Sequence, residues 1–360
     1  MSLSFGAIPS IFRSSAEDDQ VWTSHGQRTI PEEQLTIPDT NALDWKGLWA
    51  GGTTYAVDDW VEYLGAAYRC IAISTGDTPP NAGFWELVSS DTNTQYTAME
   101  VVVAADGSGD YTTIAAGMAA LAANPGVLWV KAGTYTITAA INLQTTQELR
   151  GSGYGTLIQA TTNIGLVTAT GANTGVYNVR LKGNSAGASQ SGVGISAANC
   201  TVRDSYIDDM GANGVVAVGA SGTIVDGCKI TNCSGNGIYF FAAHLGAVTN
   251  TDITTCDDNA IDIASSFYNV VVGCQIHNNG SADAQDSGIF LDGNCFQNVI
   301  QGNSIRDQAG VRETGVYIYD NGGGDVPVDT LISGNIMENN TVNFVDEGTD
   351  TQIGHNIGTT

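Results

Sequence analysis

The sequence predicts an all-β protein, most of which is a right-handed parallel β-helix closed by a short N-terminal helix and preceded by a small three-stranded β module. Three observations lead to this fold. An apolar residue recurs every 23 positions, short segments alternate apolar with variable residues, and Gly, Asn and Asp separate these segments. A period of about 20–30 residues built of short strands is typical of a solenoid, in which each coil buries one face against its neighbours.

The repeat is clearest in the inward columns, whose members are all apolar. Two columns have a 23-residue period: Val179, Val202, Val225, Val248 and Val271, and then Ile207, Ile230, Ile253 and Ile276. Two more run through the similar segments NGIYFF, NAIDIA, SGIFLD and TGVYIYD: Val193, Val215, Ile238, Ile261, Ile289, Val316 and Val342, and then Ile195, Ala217, Phe240, Ile263, Leu291, Ile318 and Phe344. Alternation with a period of two places one face inwards and the other outwards.

The sequence divides the chain into three segments. Residues 1–43 are polar and without periodicity, which indicates an extended arm, and 44–90 are rich in aromatic and turn residues, which indicates the small β module. Residues 91–360 form the solenoid. Its closing helix is predicted within 110–126, where apolar residues have helical spacing and Pro-Gly follows. Strands at 127–130, 134–137 and 148–160 begin the coils.

The cysteines fit buried positions in this solenoid. One column contains Ser205, Cys228, Thr251, Cys274 and Asn303. Cys228 and Cys274 are two coils apart, about 9.6 Å, which is too far for a disulfide. The seven cysteines are an odd number, so we expect reduced thiols rather than a disulfide framework. The histidines are not grouped with cysteines as a metal site requires, so neither a metal nor a cofactor is predicted; they are His25, His244, His277 and His355.

The charge balance excludes some classes of partner. There are 12 Lys and Arg against 37 Asp and Glu, a formal net charge of −25. Such a surface repels nucleic acids and anionic membranes, so no nucleic acid partner is predicted. No apolar run approaches a membrane span, and the first residues lack the basic and apolar regions of a signal peptide. We therefore expect no membrane insertion, no signal peptide, and folding in a reducing cytoplasm.

Two stretches resemble known families. VVVAADGSGDYTTIAAGMAAL followed by LWVKAGTY resembles the opening of the pectin-lyase-like β-helix proteins, which include pectate lyases, pectin methylesterases, polygalacturonases and phage tailspikes. The resemblance covers about residues 99–360 and is more specific for the fold than for chemistry. The catalytic motifs of the three enzyme groups are absent, and Asp257 and Asp258 in CDDNAIDI are interpreted as turn residues.

The segment 45–88 resembles the small chitin-binding-type carbohydrate modules. The matching pattern falls on Trp49, Tyr55, Asp59, Val61, Tyr63, Tyr68, Trp85 and Leu87. In so small a domain, Tyr63, Tyr68 and Trp85 should form the core. Trp49 and Trp60 are the candidates for stacking on sugars, and the alternative is that they dock on the next part of an assembly.

The outward columns of the solenoid are the candidate binding surface. The first contains Gly194, Val216, Tyr239, Asp262, Phe290, Tyr317 and Asn343, and the second Ser196, Val218, Phe241, Ala264, Asp292, Tyr319 and Val345. Outward aromatics on a rigid sheet indicate a glycan surface or a subunit interface. Longer loops before the later strands, and the insertion at 321–330, favour a glycan groove.

Asp262 and Asp292 are the predicted catalytic pair. They are one coil and two residues apart, about 8 Å between Cα atoms, which is similar to the carboxyl separation of inverting glycosidases. The alternative is that both only hydrogen-bond a sugar. The predicted sugar-binding residues around them are Tyr239, Phe241, His244, Phe290, Tyr317, Tyr319 and Asp320.

The order of arm, module and glycan-facing solenoid resembles a phage tailspike. The resemblance implies a homotrimeric virion spike that is assembled in the host cytoplasm and recognises a host surface polysaccharide. Residues 1–90 would then contact other virion or tail proteins. Whether the chain also cleaves the polysaccharide stays open, as do two alternatives: a free polysaccharide-degrading enzyme with a carbohydrate-binding module, and a purely structural virion component.

Overall fold

A computed structural model describes three short strands within residues 12–29 and then residues 44–63, 66–79, 81–90, 99–184, 190–280, 286–306 and 314–358. The chain forms two compact units, Met1–Gln95 and Tyr96–Thr360. In the described part of the chain, no helix is long and apolar enough to cross a membrane.

The predicted arm contains strands that its sequence did not indicate. They are β1 (Phe12–Arg13), β2 (Gln20–Thr23) and β3 (Gly26–Thr29), and they form an antiparallel sheet in the order β1-β2-β3. A two-residue connection joins β2 to β3, which is the usual length for a hairpin. The rest of the arm lies outside the described residues.

The β module has more strands than the three predicted. They are β4 (Asp44–Leu48), β5 (Thr54–Tyr55), β6 (Asp59–Tyr63), β7 (Ala66–Cys70), β8 (Ser74–Thr75) and β9 (Trp85–Ser90). Four form one sheet, β4-β6-β7-β9, while β5 pairs with β8. The count of three was wrong because β5 and β8 have only two residues each, too few to show alternation, and a bulge interrupts the pairing of β4 with β6. Tyr68 and Trp85 are buried in the core, as predicted.

The second unit is the predicted parallel solenoid, and its fold class is confirmed. Its first elements are β10 (Met99–Val103), α1 (Ile114–Leu121), β11 (Gly126–Val130), β12 (Gly133–Ile137), β13 (Ile141–Leu143), β14 (Gln147–Gly151), β15 (Thr156–Ala160), β16 (Val167–Ala169), β17 (Gly175–Tyr177), β18 (Arg180–Lys182) and β19 (Val193–Ile195). The middle strands are β20 (Thr201–Arg203), β21 (Tyr206–Met210), β22 (Val215–Val218), β23 (Ile224–Asp226), β24 (Lys229–Cys233), β25 (Ile238–Phe241), β26 (Ala247–Thr249), β27 (Asp252–Thr254), β28 (Ile261–Ala264) and β29 (Val270–Val272). The last are β30 (Gln275–His277), β31 (Ser287–Asp292), β32 (Val299–Gln301), β33 (Ser304–Arg306), β34 (Thr314–Ile318), β35 (Leu331–Ser333), β36 (Ile336–Glu338), β37 (Val342–Asp346) and β38 (Gln352–Ile353).

Each complete coil contributes one strand to each of three parallel sheets, and β10 and β38 extend the first sheet at its two ends. The first sheet is β10-β11-β14-β17-β20-β23-β26-β29-β32-β35-β38, the second is β12-β15-β18-β21-β24-β27-β30-β33-β36, and the third is β13-β16-β19-β22-β25-β28-β31-β34-β37. Helix α1 begins where Thr113 Oγ1 accepts a hydrogen bond from Ala116 N at 3.2 Å, and it buries Ile114 and Leu121 against the first coils. The predicted closing helix is thus confirmed.

The structure confirms the predicted inward columns except at the first and the last coil. Val202, Val225, Val248 and Val271 stack in the first sheet, and the four predicted isoleucines stack in the second. Val179, however, does not precede Val202, because Val176 is its partner. The coil between those two valines has 26 residues, so extending the 23-residue period backwards gave the wrong valine.

A second correction concerns the last coil. Val316 pairs with Phe344 and Tyr317 with Val345, whereas the predicted columns placed Val342 and Asn343 there. A shift by two residues leaves the same side chains on the same face, so alternation cannot distinguish these registers.

Amide side chains tie the coils together at the turn between the first and second sheets. Asn303 Oδ1 accepts a hydrogen bond from Cys274 N at 2.9 Å, and its Nδ2 donates to Val271 O at 2.9 Å and to Asn335 Oδ1 at 3.0 Å. Asn303 is only 1% exposed, so water cannot replace these partners. In the predicted column of Ser205, Cys228, Thr251, Cys274 and Asn303 the two cysteines are buried, as predicted, and the polar members accept backbone N–H hydrogen bonds.

We expect Asn303→Ala to lower the free energy of unfolding by about 2–4 kcal/mol, because it leaves a buried N–H and a buried carbonyl unpaired. Urea denaturation would measure this. Asn321→Ala is the matched control: Asn321 is exposed and accepts one local hydrogen bond, so its loss should stay within about 0.5 kcal/mol. Equal effects in the two variants would contradict a structural role for the column.

Candidate functional site

The outer face of the third sheet brings most of the predicted site residues together. Val216, Tyr239, Asp262, Phe290 and Tyr317 are directly paired from one coil to the next, on β22, β25, β28, β31 and β34. A second row beside them contains Val218, Phe241, Ala264 and Asp292. Both predicted outward columns are confirmed up to the last coil, and neighbouring side chains in each column are about 4.8 Å apart.

Five aromatic rings form two groups on this face. Upstream, Tyr239 and Phe241 lie 6.1 Å apart between ring centroids and are tilted by 34°. Downstream, Phe290 contacts Tyr317 edge to face at 5.5 Å and stacks on Tyr319 at 5.7 Å. Phe241 is 42% exposed and the other four rings are partly exposed. Apolar ring surface is therefore accessible on both sides of Asp262.

The two predicted catalytic carboxyl groups lie between these ring groups. Asp262 on β28 pairs with Phe290 on β31, and Asp292 lies two residues beyond Phe290 on β31. The Cα atoms of the two aspartates are therefore about 8 Å apart. Asn236 Nδ2 donates to Asp262 Oδ2 at 3.4 Å, while Asp262 Oδ1 is shielded from solvent and has no hydrogen-bond partner. Asp262 as a whole and Asp292 are both partly exposed. The environments of the two acids thus differ.

Burial and like charge keep a proton on Asp262. Burial of its carboxyl group, together with the nearby charges of Asp292 and Asp258, raises the pKa of Asp262 to about 8. Burial also raises the pKa of Asp292. Tyr239, next to Asp262 in the column, has its pKa raised to about 12 by burial first and then by Asp262. A pKa of about 8 leaves Asp262 mostly protonated at neutral pH.

This pKa predicts how stability depends on pH. Above the ordinary aspartate pKa, the unfolded chain releases the Asp262 proton, whereas the folded chain keeps it up to about pH 8. The folded state therefore binds more protons in this window, and its stability falls as the pH rises through it. Asn resembles the protonated acid and cannot ionise. We expect Asp262→Asn to match the wild type in melting temperature at about pH 4 and to exceed it by a few degrees at about pH 8.

Thermal melts across this pH range, with the exposed Asp325→Asn as a control for the loss of one negative charge, would check the prediction. A gain at pH 8 in both variants would assign the effect to the protein's net charge. A gain in neither variant would mean that Asp262 is ionised in the folded protein.

Glu347 belongs to this face, and the sequence analysis missed it. Tyr317 Oη donates to Glu347 Oε1 at 3.2 Å, and the exposed Asp320 contributes its backbone N–H to Glu347 Oε2 at 3.1 Å. Burial, and then the Glu347 charge, raises the pKa of Tyr317. Glu347 follows β37, whose register differs by two residues from the predicted one, so no column led to it. Asn236, which contacts Asp262, was also missed.

His244 lies in a different cluster from the carboxyl pair. Its ring stacks on Phe267 with centroids 3.4 Å apart, and Phe267 stacks on Phe296 at 4.4 Å. Phe267 N donates to His244 Nδ1 at 3.3 Å, and burial lowers the pKa of His244. These rings form a column in the turn that follows the third sheet. The repeated motifs FYNV (267–270) and FQNV (296–299) could have indicated it.

The predicted long loops adjoin the third sheet on both sides. Two connect the second sheet to β31 and β34, and their parts at 281–285 and 307–313 lie outside the described residues. The insertion at 321–330 follows β34 and leads to β35 in the first sheet.

The two tryptophans of the β module have different surroundings. Trp49 packs against the module core, with its ring 5.4 Å from that of Tyr63 and its Nε1 buried without a hydrogen-bond partner. Trp60, on β6, is partly exposed opposite Arg69. Of these two predicted sugar-stacking residues, Trp49 thus has its indole nitrogen shielded from solvent.

Comparison with known proteins agrees with the fold. The family described as the right-handed β-helix region matches residues 149–305 and 192–357, which together are more than half of the chain. No match is found among curated proteins. Within the described residues, no group of three or more His, Cys, Asp or Glu side chains could hold a metal ion.

Several solved structures are similar to this chain. An alginate lyase from Paenibacillus sp. has a TM-score of 0.56 at 14% identity, covering 72% of this chain and 99% of its own. PfbA, a surface adhesin of Streptococcus pneumoniae, has a TM-score of 0.50 at 12% identity, covering 61% and 65%. The Dettilon tailspike protein has a TM-score of 0.45 at 14% identity, covering 72% and 67%. At these identities, the likeness concerns the fold alone.

Proposed function

The chain belongs to the right-handed β-helix family, and we propose that it binds a polysaccharide along the outer face of its third sheet and cleaves it by hydrolysis. The observation that carries this proposal is the Asp262–Asp292 pair, which lies on one face between accessible aromatic rings, with Asp262 Oδ1 shielded from solvent. Sugars present apolar C–H faces to rings and hydroxyl groups to carboxylates. This face therefore offers both kinds of contact to a glycan.

The two acids take different roles in the proposed reaction. Asp262, with its pKa raised to about 8, donates its proton to the glycosidic oxygen as the bond to the leaving sugar breaks. Asp292, which is more accessible, removes a proton from the attacking water. The two Cα atoms are about 8 Å apart on one face of the sheet, and inverting glycosidases hold their carboxyl groups about 6.5–9.5 Å apart to leave room for that water. The product sugar would then have inverted anomeric configuration. Asn236 holds the Asp262 carboxyl group in place through its hydrogen bond to Oδ2.

The experiment is to incubate the purified chain with a panel of bacterial surface polysaccharides and to follow polymer size, new reducing ends and ultraviolet absorbance. New reducing ends without absorbance from unsaturated sugars would support hydrolysis. A gain in absorbance would indicate a lyase and overturn the roles of the two acids. Binding without any loss of polymer size would leave a glycan-binding protein in which both acids only contact sugar.

We further propose that this activity belongs to a phage virion spike, in which residues 1–90 attach the chain to other virion proteins. The support is the order of arm, small module and glycan-facing solenoid, together with the likeness of residues 45–88 to carbohydrate or docking modules. Deleting residues 1–43 should abolish incorporation into particles and leave polysaccharide binding by the purified chain intact. Loss of glycan binding on deletion of residues 45–88 would instead favour a free enzyme with a binding module.

A further inference from the structure

The charges on the third sheet restrict which polysaccharide fits. Two outward columns with nine positions each run along its outer face, and we call them the outer strip. The first is Asn142, Thr168, Gly194, Val216, Tyr239, Asp262, Phe290, Tyr317 and Val345. The second, two residues further along each coil, is Gln144, Thr170, Ser196, Val218, Phe241, Ala264, Asp292, Tyr319 and Glu347. None of these residues is Lys, Arg or His, and three are acids.

The described Arg and Lys side chains of the solenoid lie elsewhere. Lys131 donates to Ser108 O at 2.8 Å, Lys229 lies over the Tyr206 ring, and the others have acidic partners. On the first two sheets, Arg150, Arg180 and Arg203 pair with Glu148, Asp208 and Asp226 at 2.6, 3.0 and 3.0 Å, and Arg306 pairs with Glu338 at 3.6 Å. Arg312 belongs to 307–313, outside the described residues. In the described strands of the third sheet, no cation is present to balance an anionic ligand.

A ligand carboxylate would meet the like charges already on this face. The pKa of Asp262 is raised in part because Asp292 and Asp258 are close, so the site already resists one further negative charge. A polyuronate carries a carboxylate on every sugar and would place several such charges along the outer strip. By contrast, the upstream half of the strip is uncharged. Its amide and hydroxyl side chains are Asn142, Gln144, Thr168, Thr170 and Ser196, which can donate to and accept from sugar hydroxyl groups.

We infer that the outer strip selects polysaccharides built of uncharged sugars and excludes polyuronates, an inference that rests on the proposed function. The apolar rings supply stacking for neutral sugar faces, and the amides and hydroxyls of the upstream coils supply hydrogen bonds without charge. The charges of Asp292 and Glu347 disfavour any carboxylate that the ligand would bring beside them.

The test compares polymers that differ only in charge. Alginate, polygalacturonate and uronate-containing bacterial capsular polysaccharides are each presented in native form and after reduction of the carboxylates to primary alcohols, alongside neutral capsular polysaccharides. For each polymer that binds, we expect the reduced form to bind at least about tenfold more tightly than the native form at low salt. The difference in affinity should become smaller in about 0.5 M salt, because salt screens the repulsion between the ligand carboxylates and the acids of the outer strip.

A variant that adds one positive charge to the outer strip gives a second test. Val216→Lys places a cation on the outer strip, and Val216→Gln is the neutral control of similar length. Only the lysine variant should decrease the difference in affinity between the native and the carboxylate-reduced polymers.

Three results would overturn the inference. In the first, a native polyuronate binds as tightly as its reduced form or more tightly, which leaves the proposed glycan binding intact and shows that its selectivity is the opposite. In the second, a polymer with free amino groups binds more tightly than every neutral polymer. In the third, no polymer binds in either form, and the proposed function fails together with the inference.

Discussion

Asp262→Asn should lower the rate of polysaccharide cleavage by about two to four orders of magnitude, since that is the usual contribution of a general acid or base. Asp292→Asn should have an effect of similar size, because the asparagine cannot take the proton of the attacking water. The double variant should be little worse than either single variant, since the two residues act in one step. Counting new reducing ends on a polymer that the wild type cleaves would measure all three.

The controls separate chemistry from binding and folding. Asp204→Asn removes one negative charge at an exposed position in the turn between the first and second sheets and should keep wild-type activity. Asp262→Asn should still bind the polymer, and its fold should be at least as stable as that of the wild type at neutral pH. If Asp262→Asn and Asp292→Asn both keep most of the cleavage rate, the catalytic residues lie elsewhere.

Phe290→Ala should weaken polysaccharide binding by about 10–100-fold, the usual range for losing a central aromatic contact. Phe290 lies directly beside Asp262 and contacts both Tyr317 and Tyr319, so its removal disrupts the whole downstream ring group. The ring points outwards, so the solenoid core stays intact. Isothermal titration or affinity electrophoresis against the bound polymer would give the change in affinity.

Tyr268→Ala is the matched control for this loss of ring surface. Tyr268 is 45% exposed and contacts Phe267 and Phe296 in the turn column that follows the third sheet. Its removal should leave affinity within about twofold, because sugars are expected on the sheet face. If Tyr268→Ala loses affinity and Phe290→Ala does not, the glycan binds along the turn column instead.

The repeat predicted the solenoid well because each coil must bury the same face. Val202 and Ile230 lie in the columns where their spacing placed them, and the outward rows through Tyr239 and Phe241 followed from alternation alone. The Asp262–Asp292 register was correct for the same reason. Such columns follow from the local pattern of each strand, which stays recognisable even where the coil lengthens to 28 residues between Asp262 and Phe290.

The failures arose where a column was extended by the 23-residue period or by alternation alone, or where contacts are not local. The 26-residue coil before Val202 put Val179 in the wrong column, and the last coil is shifted by two residues, which hid Glu347. Neither the stacking of His244 on Phe267 nor the buried state of Asp262 Oδ1 has a signal in a single coil, because both depend on which side chains cover them. The strand count of the small module was wrong because β5 and β8 have two residues each and a bulge interrupts the pairing of β4, so none of these strands shows clear alternation.

The most direct test of the central claim is a crystal structure of the full chain with an oligosaccharide cut from a polymer that it binds. The account predicts sugar rings on the outer face of the third sheet, stacked on Phe290 or Tyr239, with a glycosidic oxygen close to Asp262. Sugar bound only on the first two sheets or on the β module, with the outer strip covered by a second copy of the chain, would contradict it. The aromatic rows would then be a subunit contact.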